Sequence, residues 1–160
     1  MDSLTFETEY ESPLREGGYY ASFFARDLPG EGDTYWIRTF DLGEDPVLGL
    51  PNISFDGAGI PNNENDGGNF VIPIREGINP GGYLGEETFK ENDSIRVELH
   101  AITLEAWNYL DQLQQILANE GLFAEPLANL PSNLITNKED VIGFFSVSNV
   151  SALSAVAKPE

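Results

Sequence analysis

The sequence predicts a mainly β fold: an antiparallel, sandwich-like domain with one amphipathic helix, at about residues 103–119, packed on the sheet. Three observations carry that expectation. Short stretches alternate apolar and polar residues, as half-buried strands do, at 4–10 and again at 94–101. Glycine- and proline-rich segments separate them, at 27–33, 56–68 and 77–91. At Ile102 the apolar period changes from two to that of a helix, and it does so only there.

The elements follow in chain order. Leu4, Phe6, Thr8 and Tyr10 fall on one face of a first strand, with Thr5, Glu7 and Glu9 on the other. Tyr19 to Arg26 is apolar on both faces and reads as an inner strand. Asp27-Leu-Pro-Gly-Glu-Gly-Asp33 has turn chemistry, and Thr34 to Asp41 is the expected antiparallel partner in a hairpin. Residues 42–69 read as loop. Phe70-Val-Ile-Pro-Ile74 reads as a short strand confined by Pro73 to an edge. In strand 94–101, Ile95, Val97, Leu99 and Ala101 point inward, and Arg96, Glu98 and His100 point to solvent. Thr103 is a competent helix N-cap, and Ala106, Trp107, Leu110, Leu113, Ile116 and Leu117 form one apolar stripe. Gly121 suits the helix end, and a last strand is expected near 142–150, which Ser151 to Glu160 can extend before fraying at Lys158-Pro-Glu160. A parallel crossover through the helix is the lower-ranked topology, because nothing else alternates strand with helix.

Length and composition bound the function. One domain of 160 residues, 41 % hydrophobic, can bury a core, and without cysteine it has no disulfide or thiolate chemistry. The net charge is -19, with 14 acids in residues 1–66 and 13 in residues 67–160. So even an acidic surface repels phosphate backbones and anionic lipid, which excludes nucleic acid as a partner. No apolar run reaches the length of a membrane span, so this segment is not expected to insert directly.

Catalytic signals are sparse. The single histidine, His100, lies on the polar phase of its strand, and there is no nucleophile elbow, metal-type cysteine or histidine cluster, or phosphate loop. Paired carboxylates are available in number but carry no specificity. Asn62-Asn-Glu-Asn-Asp-Gly67 begins as a calcium loop does, with oxygen donors at alternate positions before a glycine. The match ends there, since the twelfth position is Pro73 rather than a bidentate glutamate. The stretch therefore reads first as an acidic loop. If it takes an ion, the ion is calcium and the ligands are Asp56, Glu64 and Asp66. Tyr19, Tyr20, Tyr35, Trp36 and Tyr83 are the aromatics available to stack on a sugar or an apolar ligand, although most aromatics in small β domains are core.

The order strand 94–101, helix, Phe123-Ala-Glu-Pro-Leu-Ala-Asn-Leu-Pro-Ser-Asn-Leu134 and Gly143-Phe-Phe-Ser resembles the C-terminal part of a family of Bacteroidota outer-membrane lipoproteins called domain of unknown function 4249. Ala25 to Arg38 is similar to that family's aspartate, proline and glycine stretch before an aromatic strand. Leu127 and Phe144 depart from it, where proline and tyrosine are common. The positions that match, Phe123, Pro126, Asn133 and Gly143, look structural. The resemblance implies a cell-surface protein anchored through an upstream lipid-bearing cysteine, with a signal peptide and an immunoglobulin-like segment preceding residues 1–160. It also implies association with a TonB-dependent receptor. The function expected is a non-catalytic binding or accessory domain whose ligand the sequence does not name, with a glycan or a peptide as the candidates. The alternatives are a glycan-active enzyme using two carboxylates and a calcium-binding adhesion module.

Overall fold

The computed structural model describes residues 1–9, 17–41, 51–58, 65–83, 87–118, 130, 132–134 and 143–158. Within them are six strands and two helices: β1 (Ser3–Glu9), β2 (Gly18–Phe24), β3 (Thr34–Asp41), β4 (Asn52–Phe55), α1 (Ile72–Glu76), β5 (Ser94–Ile102), α2 (Leu104–Ala118) and β6 (Asn149–Val156). The domain is mainly β, as the alternation predicts. β1 and β2 form an antiparallel pair, and β4-β3-β5-β6 form a four-stranded antiparallel sheet.

The two sheets enclose the main core. Ala21 and Phe23 of β2 meet Tyr35 and Ile37 of β3 and Ile95, Val97 and Leu99 of β5. Leu4 and Phe6 of β1 close it from outside. The Phe70 ring sits between the layers, edge-on to Phe23 at 5.8 Å and to Tyr35 at 5.0 Å. Alternation on β5 is as expected: Ile95, Val97 and Leu99 are all buried toward this core. The outer edge of β2 is sealed by a side chain. Asn79 accepts from the Ala21 N–H at 2.7 Å and donates to the Ala21 carbonyl at 2.8 Å, imitating a neighbouring strand.

Several expectations need correction. β2 does not form a hairpin with β3; it pairs with β1, and β3 pairs with β4 and β5. The 27–33 segment crosses from one layer to the other instead of turning back within one. Phe70 to Ile74 is no strand: α1 starts at Ile72 with Pro73 in its first turn, where a missing N–H costs nothing. Residues 42–69, expected as loop, contain β4. It ends in a two-residue turn, Asp56-Gly57, with φ of 47° and 69° and both Phe55–Ala58 backbone hydrogen bonds made. Positive φ at both positions is what a type I′ hairpin needs, and Asp-Gly is a favoured pair for it. The last strand is shifted C-terminally, to Asn149–Val156, and 143–148 runs irregularly into it.

α2 matches its expected span. Thr103 caps it, its hydroxyl accepting from the Ala106 N–H at 3.3 Å. Ala106, Trp107 and Leu110 are buried, the last two packed with Ile53, and Phe55 is edge-on to Trp107 at 5.7 Å. The stripe does not continue: Leu113 and Ile116 are only half-buried and Leu117 is 48 % exposed, because the buried contacts lie in the first two turns and the helix then runs past short β4. β5 and β6 are antiparallel neighbours, so α2 is not a parallel crossover. Gly121, Phe123 and Pro126 lie outside the described residues.

Candidate functional site

The four-stranded sheet has a second face, turned away from the main core, and its rows follow from strand register. Phe55, Thr34 and Ile102 form the row under the start of α2; Ile53, Trp36, His100 and Val150 form the next. Arg38, Glu98 and Ala152 follow, then Phe40, Arg96 and Ser154. α2 covers β3 and β4 at one end of this face. Beyond it a cleft of about 280 Å³ remains. Its floor is Trp36, Arg38 and His100, and one wall is Ile102 with Ala106, Tyr109 and Leu110. Phe144, Ser146 and Ser148 form the other wall, with Phe144 stacked on Tyr109 at 5.2 Å.

His100 was expected to face solvent. It does point to the outer face, but its neighbours there enclose it, and the residue is 9 % exposed. Its Nε2 lies 3.0 Å from Glu98 Oε2 and its Nδ1 2.9 Å from Ser148 Oγ, while Trp36 lies beside it with ring centroids 5.6 Å apart. Burial pushes the Glu98 carboxyl up, but hydrogen bonds from His100 and Arg96 outweigh it and hold the group below its ordinary value. Ionised, Glu98 only accepts, so Nε2 carries a proton. In the neutral ring Nδ1 is then left to accept from the Ser148 hydroxyl. A carboxylate, an imidazole and a serine hydroxyl are thus hydrogen-bonded in series at the cleft, the order that activates a nucleophile. The segment bearing Ser148 runs into a strand, however, not into a helix whose N–H groups would face an oxyanion, and the Phe145 N–H is taken by Asn133.

Arg38 is the other distinctive group. Its guanidinium lies 4.8 Å from the Trp36 ring centroid and 4.7 Å from that of Phe40, between its two neighbours on the same strand face. Glu98 is its cross-strand partner, yet Glu98 Oε1 is occupied by Arg96 at 2.9 Å and Oε2 by His100. Arg38 makes no salt bridge among the described residues. Of the aromatics available for stacking, Tyr20 and Tyr35 are buried core, Tyr19 packs on the core rim and Tyr83 is half-buried away from the cleft; Trp36 alone of them lines it.

The calcium residues behave differently. Glu64 lies outside the described residues. Asp56 Oδ1 accepts from the Gly32 and Asp33 N–H groups, each at 2.8 Å, and Asp66 Oδ1 accepts from Gly30 at 2.7 Å. Both therefore fasten the 27–33 crossing. Buried Asp27 joins them, with Oδ2 on the Gly67 N–H at 3.2 Å and Oδ1 without a partner among the described residues. Burial, and next to it the charge of Asp56, raise Asp27 above its ordinary value despite hydrogen bonds from Tyr35 and Gly67. Asp33 is raised by burial and by the charges of Asp27, Asp56 and Asp66. Among the described residues no group of three or more acids or histidines is arranged to hold a metal ion.

The resemblance positions that are described are structural. The Asn133 amide clamps the Phe145 backbone from both sides, at 2.7 and 2.8 Å, and Ser132 donates to the Gly143 carbonyl at 2.8 Å. They hold the 143–148 wall of the cleft in place.

These features define a mainly β domain with a small, partly aromatic cleft between a sheet and a helix. The family model described as Domain of unknown function (DUF4249) matches residues 2–154, and the chain belongs to that family. No curated protein and no solved structure matches it.

Proposed function

We propose that the chain is a non-catalytic binding or accessory domain of a surface lipoprotein that works beside a TonB-dependent receptor, and that the cleft under α2 is its ligand site. The surface setting rests on the family resemblance. The observation that supports binding is the outer face itself: a sheet surface paved with Trp36, Arg38, Phe40 and His100, which α2 covers only in part. Cavities that bind small ligands combine an apolar lining with a few placed polar groups, and this one does so at a size suited to a small ligand or one side chain. The described lining contains no carboxylate, which disfavours the two-carboxylate glycosidase.

The test is a fragment screen followed by amide NMR. Hits should shift resonances of Trp36, Arg38, His100, Tyr109 and Phe144 together. A library of several hundred soluble fragments giving no hit at these residues would end the assignment of the cleft as a ligand site.

Glu98, His100 and Ser148 support a second reading, a serine hydrolase. A fluorophosphonate probe separates the two. The binding reading expects no covalent label; a label abolished by Ser148→Ala and by His100→Ala would establish the hydrolase.

A further inference from the structure

We infer that the cleft takes a ligand bearing a carboxylate on an apolar or aromatic body, with the carboxylate at Arg38 and the body against α2 and Phe144. This rests on the binding reading above and names the chemistry of that same site.

The charge argument comes first. The chain has 8 basic residues against 27 acids. In such a background a guanidinium is expected to find an acid, and Arg38 has one directly opposite in Glu98. Both oxygens of Glu98 are nevertheless engaged elsewhere, by Arg96 and by His100. His100 and Arg96 therefore do for Glu98 what Arg38 would otherwise do, and they leave the Arg38 fork without a carboxylate among the described residues. The two flanking rings hold that fork in place, which lowers the entropy lost when it binds a planar partner. A guanidinium matches a carboxylate with two parallel hydrogen bonds.

The ligand's body follows from register. Arg38 and Glu98 lie in the row beyond Trp36 and His100, whereas Thr34 and Ile102 lie in the row beneath the start of α2. The cleft thus changes along the strand direction from charged to apolar. At the apolar end stand Ile102, Ala106, Leu110 and the stacked Tyr109–Phe144 pair. A molecule lying along the cleft meets a cation with one end and rings or aliphatic carbons with the other. A monoanion is favoured over phosphate or sulfate, because the net charge of -19 repels a second negative charge more than one guanidinium offsets.

The experiment uses matched acids and amides. Phenylacetate and N-acetylphenylalanine are titrated against the folded chain by amide NMR, each beside its uncharged amide. The acids should bind at the cleft at least ten-fold more tightly than the amides. Arg38→Gln, checked for an unchanged melting temperature, should abolish that preference while leaving amide binding as it was. Arg38→Lys should retain part of it. N-acetylphenylalanine as the tighter acid would indicate a peptide C-terminus, and phenylacetate a free aromatic acid. Equal binding of acids and amides, a preference that survives Arg38→Gln, or displacement of phenylacetate by sulfate at constant ionic strength would each overturn the inference. A cleft that accepts only neutral fragments overturns it and leaves the binding reading intact, whereas a cleft that accepts nothing removes both.

Discussion

The two faces of the four-stranded sheet are built on opposite principles although they share every strand. On the inner face, Tyr35, Ile37, Ile95, Val97 and Leu99 pack against the β1–β2 layer with no charged side chain among them. On the outer face the same strands present Trp36, Arg38 and Phe40 beside Arg96, Glu98 and His100, and only one end is covered by α2. The inner face derives its stability from apolar area removed from water. The outer face holds a polar chain, Arg96–Glu98–His100–Ser148, whose members are arranged by one another. A face of the second kind adds less to folding and leaves room for a ligand. The predictions test that division.

The largest effect should come from the inner layer. Phe70→Ala removes a buried ring that touches both Phe23 and Tyr35, and should cost about 4 kcal/mol in a urea melt. Ser148→Ala, on the outer face, should cost about 1 kcal/mol or less, since it removes one partly exposed hydrogen bond. Comparable losses would mean that the outer chain is a structural centre after all.

A second comparison uses two asparagines with the same job. Asn79 and Asn133 each clamp a backbone from both sides, Ala21 in one case and Phe145 in the other. Asn79 is 2 % exposed, so Asn79→Ala leaves a buried N–H and carbonyl unpaired, and about 2–4 kcal/mol should be lost. The groups freed by Asn133→Ala are exposed and water takes its place, so about 1 kcal/mol or less is expected. Hydrogen exchange at Ala21 and Phe145 would show whether each loss is local.

The inner face was legible in the sequence because alternation carries it: one glance at 94–101 separates Ile95, Val97 and Leu99 from the rest. The outer face was not, because the same rule assigns every polar-phase residue to solvent, and His100 was placed there. A signal was available in the neighbouring strand. Trp36 and Phe40 share one phase of β3 with Arg38, opposite Tyr35 and Ile37, and two large aromatics on the phase turned away from the core are evidence that something covers it. Turn chemistry failed similarly. Asp56-Gly57 offers a carboxylate to a calcium reading, but what marks the end of β4 is its backbone demand for two positive φ values. Pro29-Gly30 suggested a tight hairpin, but the pairing of β2 with β1 is a long-range outcome of burying Phe23 against Ile95 and Val97, which no local dipeptide encodes. Pro73 is an obstacle within a strand but is tolerated in the first turn of a helix, and the dipeptide alone does not separate the two.

The smallest effect concerns acid titration at the layer crossing, and its sign differs from that on the outer face. Asp27 and Asp33 are raised above their ordinary value, so their charged forms are less favourable in the fold than in the unfolded chain. Their contribution to stability is fully present below the unfolded value of 3.8 and is lost as pH rises through the folded values. Glu98 is lowered and works the other way: its contribution is present above the unfolded value of 4.5 and is lost as pH falls through the folded one. Melting temperature should therefore rise as pH falls through the folded value of Asp27 toward 3.8, and fall once Glu98 takes up its proton. Asp27→Asn should flatten the rising limb, because it removes the buried charge and its repulsion with Asp33 and Asp56. Asp2→Asn removes the same formal charge from an exposed position and should leave that limb unchanged. Glu98→Gln should abolish the low-pH fall while sparing the rise. If Asp27→Asn and Asp2→Asn behave alike, the limb reflects only the relief of overall charge. Millimolar calcium sharpens the same point. Carboxylates that serve only to fasten the 27–33 crossing give no melting shift beyond that of equal ionic strength, whereas a specific rise lost in Asp66→Ala would make Asp56, Glu64 and Asp66 calcium ligands and the layer crossing an ion-held joint.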